Sequence, residues 1–346
     1  MLFILAIVAL GVLGYSIGRF INWMTTLNEE FEREFSAWLE NPNSIEKVPL
    51  PSVFSPATKA LSVIVPAYNE QDRISSTLSE MLTYLEARQA RQGPSFTYEI
   101  IVVDDGSKDN TRGVVLDFTQ RVGFDVVRLL RLSKNGGKGH AVKRGMLAAR
   151  GSFLLMADAD GATRFSDLER LEIQLDRILI PNFAPRAATP KSSAVSATAI
   201  SDSLALATSG VGAAFGSRAH MERTVKRSAL RTFLMKGFHM LVLFVAGGKI
   251  RDTQCGFKLF SRRAAAVIFS NLRLRRWCFD VEVVLLCRFL GVPIAEVDVT
   301  WTEVPGSKLR VMSVVHMALE LLLIKVSYQI ARVWRVASEI ELGRKN

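Results

Sequence analysis

The chain has 346 residues, 49% of them hydrophobic, a mean hydropathy of +0.20 and a formal net charge of +11. That length suits one large catalytic domain with smaller attached pieces, and that hydropathy is high for an ordinary soluble protein and low for a polytopic membrane protein. The charge is uneven: from Phe215 onward 22 Lys and Arg stand against 10 Asp and Glu, so the basic half points to an anionic partner, whether nucleic acid, lipid head groups or a phosphorylated substrate.

Leu2 to Ile17 is uncharged and rich in Leu, Ile, Val and Ala, followed by Arg19 and Trp23. With a snorkelling Arg and an interfacial Trp this reads as a membrane anchor over residues 1–24, close to the ~20 apolar residues that a spanning helix needs. A cleaved signal peptide is the alternative, but it usually carries a basic region before its apolar core, and none is present. The first basic residues follow the span, which places the remainder on the cytosolic side. Residues 25–59 read as a polar connector to a core that begins at residue 60.

From there strands and helices alternate. Leu61–Pro66, Tyr98–Val103, Phe124–Arg131 and Phe153–Ala157 read as buried strands, and residues 70–91, 111–122 and 138–150 as helices between them. This spacing predicts an α/β fold with a mostly parallel sheet covered by helices on both faces. Residues 181–214, of which 24 of 34 are Ala, Ser, Thr, Pro or Gly, read as a flexible surface insertion. Thr232–Val245 and Val311–Val333 are apolar stretches flanked or interrupted by Lys236, Lys249, Lys325 and Arg332. They fit either core helices or helices lying at a membrane surface. The residues from 311 to 346 are expected to form a membrane-associated helical segment beyond a catalytic domain spanning 60–310.

Four polar clusters follow strand ends, where ligands of such sheets sit. Pro66-Ala-Tyr-Asn-Glu70 follows the first strand and Asp104-Asp-Gly-Ser-Lys-Asp109 the second. Asp104 or Asp105 can accept the N3–H of a uracil, Glu70 can take a ribose hydroxyl, and Tyr68 offers a ring face. Each cluster alone fits an ordinary strand-to-helix turn; two on adjacent strand ends, both acidic, are harder to explain that way. Asn135-Gly-Gly-Lys-Gly-His140 combines glycines that permit close backbone approach to a phosphate with the point charge of Lys138, and it lacks the closing residues of a Walker loop. Asp158-Ala-Asp160 closes the fourth strand, and two carboxylates so spaced can share a hard divalent cation with a diphosphate. Cys255, Cys278 and Cys287 match no zinc pattern and read as packing thiols; of the histidines only His140, beside the glycine loop, invites a functional reading.

In this order and spacing the four clusters resemble the family 2 inverting glycosyltransferases of the GT-A fold. The later segments "GSRAH", "RDTQCGFKLF", "RWCFDVE" and "WTEVPGSKL" resemble the dolichyl-phosphate β-glucosyltransferase branch more than its mannosyltransferase sister. "RLRRW" has Arg273 where processive synthases carry Gln, which argues against a polymerising enzyme. The resemblance implies UDP-glucose as donor, dolichyl phosphate as acceptor, Mg²⁺ or Mn²⁺ as cofactor, and a bilayer of the endoplasmic reticulum as the setting. It assigns Pro66, Tyr68, Glu70 and Asp105 to the uridine, Asp158 and Asp160 to the metal and diphosphate, and Arg218, Arg227 and Arg231 to the acceptor phosphate. A phosphate acceptor arrives already ionised, with a second pKa near ~6, so no general base is required and the task is to hold two anions together with cations. Lys258 is a further candidate cation, and Asp280 is expected to organise the acceptor site by pairing with an arginine. Nucleic acid is not expected as a partner, because no nucleic-acid-binding pattern accompanies the basic half. Oligomeric state is left open.

Overall fold

In a computed structural model, residues 48–179, 210–220, 250–304 and 311–343 are described, with 35–44, 240–245, 247–248 and a few single positions besides. Eight strands form one sheet: β1 (Ala37–Glu40), β2 (Lys59–Ala67), β3 (Tyr98–Asp104), β4 (Val127–Leu132), β5 (Gly151–Ala157), β6 (Ala213–Ser217), β7 (Phe257–Ser261) and β8 (Ile294–Asp298), in the order β1-β4-β3-β2-β5-β7-β6-β8. The central pairs β4–β3, β3–β2 and β2–β5 are parallel, as is β6–β8. β7 runs antiparallel between β5 and β6, and β1 antiparallel on the β4 edge.

The helices are α1 (Ile74–Gln92), α2 (Thr111–Val122), α3 (Lys138–Leu147), α4 (Leu168–Ile178), α5 (Arg262–Asn271), α6 (Phe279–Leu290), α7 (Val311–Ile324) and α8 (Glu339–Gly343), with a π-helical stretch Lys325–Ile330 after α7. The central strands are continuous apolar runs because both faces are covered. Alternate side chains enter opposite cores: Val63, Val65, Ile100 and Val102 pack with Leu78 of α1 and Val115 of α2, while Ile64, Ile101 and Val103 pack with Val142 of α3 and Phe269 of α5.

The four predicted strands and three predicted helices are present, with boundaries moved by a few residues. α1 starts at Ile74 rather than residue 70, because Asn69 takes a left-handed backbone (φ 54°) and turns the chain first. β6 begins within the stretch read as an insertion, whose residues 181–209 lie outside the described ones. Among the described residues no helix is long and apolar enough to cross a membrane, and most of the expected anchor lies outside them. In α7, Leu321 and Ile324 are buried against the core, as a core helix requires, while Leu319 and Leu322 face outward.

Opposite the clusters of interest, at the amino ends of the strands, the buried Glu99 ties the sheet together. Its carboxylate accepts from Ser62 Oγ (2.6 Å), the Arg150 amide (2.7 Å), Arg150 Nε (2.7 Å) and an Arg128 nitrogen (3.3 Å). Ser62 Oγ in turn accepts from the Gly151 amide at 2.7 Å. Glu99→Ala would strand the buried Arg128 guanidinium, and a loss of about 3–5 kcal/mol is expected. Chemical denaturation would show it as a lower midpoint at unchanged slope; a shift under about 1 kcal/mol would mean that solvent replaces the carboxylate.

Candidate active site

β2, β3 and β5 are neighbours and end together, so the segments that follow them meet. Ala67 pairs in register with Asp104, and the Asp105 amide donates to the Ala67 carbonyl at 2.9 Å. The first two clusters are cross-braced. The Asn69 amide donates to Ser107 Oγ (2.9 Å), and Asn69 Oδ1 accepts from the Lys108 amide (2.8 Å). The Gln71 amide reaches Asp109 (3.1 Å), and the Glu70 amide reaches Thr111 Oγ1 (2.8 Å). Glu70 holds Arg73 through two 2.8 Å bonds. Pro66 and Tyr68 are half-buried on the same turn.

Asp104 and Asp105 are both buried but hold different partners. Asp104 Oδ1 accepts from the Ser107 amide (2.9 Å), closing its own turn. Asp105 reaches across to the glycine loop, accepting from the amides of Gly136 (2.7 Å) and Gly137 (2.9 Å). Burial pushes the Asp105 carboxyl up to about 6; the two amides work against this, and the nearby Asp104 charge adds to it.

The glycine loop therefore does not present these amides to a phosphate, as the sequence suggested. Beyond Lys138, the amides of Gly139 and His140 donate to the carbonyls of Arg276 (3.2 Å) and Arg275 (3.0 Å). Close backbone approach is indeed what the glycines permit, but toward the protein itself: Gly137 has φ 95°, and a Cβ there would meet the Arg275 carbonyl at 2.6 Å. The Lys138 side chain is the group of this loop that a ligand could meet with a charge. His140 is buried edge-on against Phe31 and Phe35. Burial lowers its pKa despite the nearby Glu32 carboxylate, so it belongs to packing.

Lys138 Nζ lies 2.6 Å from Asp158 Oδ1 and 5.8 Å from the Trp277 ring centre. Burial works against its charge, yet Asp158, Asp280 and Asp160 together hold the ammonium above the usual lysine range. Asp160 Oδ1 accepts from the Ala162 amide at 3.1 Å, shaping the turn after β5, and Thr77 of α1 anchors that turn by donating to the Ala159 carbonyl at 2.9 Å. Gly256 backs Asp158 so closely that a Cβ there would sit 2.0 Å from Asp158 Oδ2.

On the other side, Arg218 follows β6 and is fixed by Asp252 through its amide (2.9 Å), Nε (2.8 Å) and a terminal nitrogen (3.0 Å). Its side chain remains 32% exposed, and the guanidinium carbon lies 5.6 Å from the Trp301 ring centre. Burial opposes the Arg218 charge, but the Asp252 bond and charge raise its pKa well above the usual range. Asp280, at the start of α6, pairs with Lys258 of β7 and not with an arginine. Lys258 also donates to the Cys255 carbonyl at 2.7 Å and is 1% exposed, so it cannot serve as an acceptor-phosphate cation. Arg227 and Arg231 lie outside the described residues. The three cysteines are free and buried, and burial pushes the Cys255 thiol up to about 11, in keeping with packing.

Residues 62–177 match the family described as Glycosyl transferase family 2. The chain is 46% identical to the dolichyl-phosphate beta-glucosyltransferase of Homo sapiens over 294 residues, 84% of this chain and 82% of that one. To the Drosophila melanogaster protein of the same name it is 45% identical over 301 residues, 86% of this chain and 84% of that one. The chain belongs to the dolichyl-phosphate beta-glucosyltransferase family. A crystal structure of glucosyl-3-phosphoglycerate synthase from Mycobacterium tuberculosis with uridine diphosphate aligns over 78% of this chain and 80% of that one, at 14% identity and a TM-score of 0.47, too remote to transfer detail.

For this member of the family, Asp252 is the site residue that sequence reasoning missed. Its signal was available: it is one of only 10 acidic residues in the basic half, and such a residue is a natural arginine partner. A carboxyl whose folded pKa lies above its unfolded value of 3.8 is the more protonated in the fold. The stability that it contributes is therefore present below that value and is lost as pH rises through about 6. Relative to Asp105→Asn, which does not titrate, the wild-type chain is expected to lose about 2–3 kcal/mol between pH 4 and pH 7. Denaturant midpoints at each pH measure this, and a pH-independent difference would refute it.

Proposed function

We propose that the chain transfers glucose from UDP-glucose to dolichyl phosphate with inversion, giving dolichyl β-D-glucosyl phosphate, on the cytosolic face of the endoplasmic reticulum membrane. The observation that carries this reading is the convergence of three acidic strand ends with Lys138 on one rim of the sheet, in a chain so similar to enzymes named for this reaction. Pro66, Tyr68, Glu70 and Asp104 would hold the uridine. Asp105 would act beside them by fixing the glycine loop, and Lys138 would meet the diphosphate.

Asp158 and Asp160 would hold Mg²⁺ or Mn²⁺. Their donor set suits a hard divalent cation, and the glycine behind Asp158 gives its carboxylate room that any other residue would fill. Among the described residues no group of three or more His, Cys, Asp or Glu is arranged around a metal. Two carboxylates alone leave coordination positions for diphosphate oxygens, as such ions require when shared with a substrate. The ion supplies positive charge against the departing diphosphate. Arg218, held in place by Asp252 yet reachable from solvent, would take the acceptor phosphate together with Arg227 and Arg231. The acceptor oxygen is ionised on arrival, so these residues orient it rather than deprotonate it.

Attachment to a bilayer is supported by outward apolar side chains in two adjoining stretches. Met240, Phe244, Leu319, Leu322, Ile330 and Val333 are exposed, and Lys325 joins the stretches by donating to the Phe244 carbonyl at 3.0 Å. Such a face with cationic residues beside it suits an interfacial helix. On sedimentation with vesicles of phosphatidylcholine and phosphatidylserine, Leu322→Glu with Ile330→Glu is expected to weaken binding roughly tenfold. Unchanged binding would move the contact elsewhere.

The test of the reaction offers a polyprenyl phosphate and Mg²⁺ or Mn²⁺ to the full chain in detergent, with UDP-glucose, UDP-N-acetylglucosamine or GDP-mannose. Sugar is expected in the lipid phase from UDP-glucose only, falling to background in Asp160→Ala and after chelation. Transfer from GDP-mannose alone would replace the donor assignment by that of a mannosyltransferase. Intact UDP-glucose binding without transfer to lipid would overturn the acceptor.

A further inference from the structure

Lys138 Nζ sits 2.6 Å from Oδ1 of Asp158, and this oxygen belongs to the carboxylate on which the proposed cation site depends. An ammonium and a divalent cation sharing one oxygen would lie within about 4 Å of each other and repel strongly. Gly256 packs closely against the same carboxylate, where a Cβ would stand 2.0 Å from Oδ2 and 2.7 Å from Oδ1, so the side chain has little room to turn away from Lys138 on that side. Binding of a divalent cation therefore competes with an ion pair that the chain already makes.

Among the described cations beside these carboxylates, Lys138 is the least firmly fixed. Lys258 is buried, tied to both Asp280 and the Cys255 carbonyl. Arg218 is held by three bonds to Asp252. The Lys138 side chain is 20% exposed, sits on the first residue of α3, and feels Asp280 as a second anionic neighbour.

We propose that Lys138 is a built-in counter-ion of Asp158 that a divalent cation must displace, the freed ammonium then turning to the diphosphate of the donor. This rests on the reading that Asp158 and Asp160 hold the cation. It makes metal and donor bind as a pair. Metal alone must break the Lys138–Asp158 contact without compensation, whereas metal with nucleotide brings phosphate oxygens that replace the lost partner of the lysine. By linkage, the nucleotide raises metal affinity by the same factor that the metal raises nucleotide affinity.

The experiment titrates Mn²⁺ into the full chain and follows the resonance of free Mn²⁺, without nucleotide and with saturating UDP. Lys138→Gln is expected to tighten Mn²⁺ binding in the absence of UDP by about fivefold or more, the worth of a partly exposed ion pair. The same substitution should shrink the enhancement brought by UDP. Arg218→Gln removes a cation whose field also reaches Asp158 but which Asp252 holds in place; it should change Mn²⁺ affinity by less than about twofold. Unchanged or weaker Mn²⁺ binding in Lys138→Gln, or equal tightening in Arg218→Gln, would overturn the displacement while leaving the cation site intact. Mn²⁺ binding that survives Asp158→Asn unaltered, or that is missing from the wild-type chain even with UDP, would remove the cation site and the displacement with it.

Discussion

The rim of the sheet is governed by one constraint: carboxylates gathered on adjacent strand ends cannot share a poorly solvated space unless each has a designated partner. Asp104 closes on the Ser107 amide and Asp105 on two amides of the glycine loop. Asp158 takes Lys138, Asp280 takes Lys258 and Asp252 takes Arg218. The partners come from different parts of the chain, so each pairing is also a tether that positions a loop. The glycine loop is drawn toward β3 by Asp105, and β6 is tied by Asp252 to the segment that precedes β7.

This bears on how the site can meet two anionic substrates. A cluster of bare cations would be costly to fold without them, and a cluster of bare carboxylates would repel them. Giving each carboxylate a cation or amide partner eases both problems, and on the proposed reading incoming phosphates would exchange partners with carboxylates already present. The pairs differ in how firmly they are held. Lys258–Asp280 is deeply buried and further fixed by a carbonyl, whereas Arg218 and Lys138 keep part of their side chains in solvent. The buried pair is thus the most firmly held of the three.

Much of the central fold was legible in the sequence because its strands are short apolar runs ending at polar turns. Leu61–Pro66 and Tyr98–Val103 need no tertiary information to be recognised as buried strands. β6, β7 and β8 were not legible in the same way. β7 runs antiparallel between β5 and β6, so the regular alternation of strand and helix breaks there. At the site, the acidic residues announced themselves by position, whereas their partners did not. Nothing local marks Lys258 as the buried counter-ion of Asp280, 22 residues away. The glycine loop shows the same limit in another form. Its composition correctly signalled close backbone approach, but composition carries no direction, and the approach is toward Asp105 and the Arg275 and Arg276 carbonyls.

The pairing of Asp280 fits the proposed reading, in which no base is needed at that position. A hydroxyl acceptor must lose its proton as it attacks, so an enzyme acting on one needs a carboxylate that is exposed to the acceptor and free to be protonated. Asp280 is not open to an acceptor: it is 4% exposed and paired with Lys258. Burial pushes its pKa above the usual carboxylate range, and the charges of Lys258 and Lys138 offset only part of that push. A phosphate monoester, whose second proton leaves near pH ~6, makes no demand on such a residue. On the proposed reading the carboxylate is used structurally, paired with Lys258 and near Lys138, and cations would hold donor and acceptor in line.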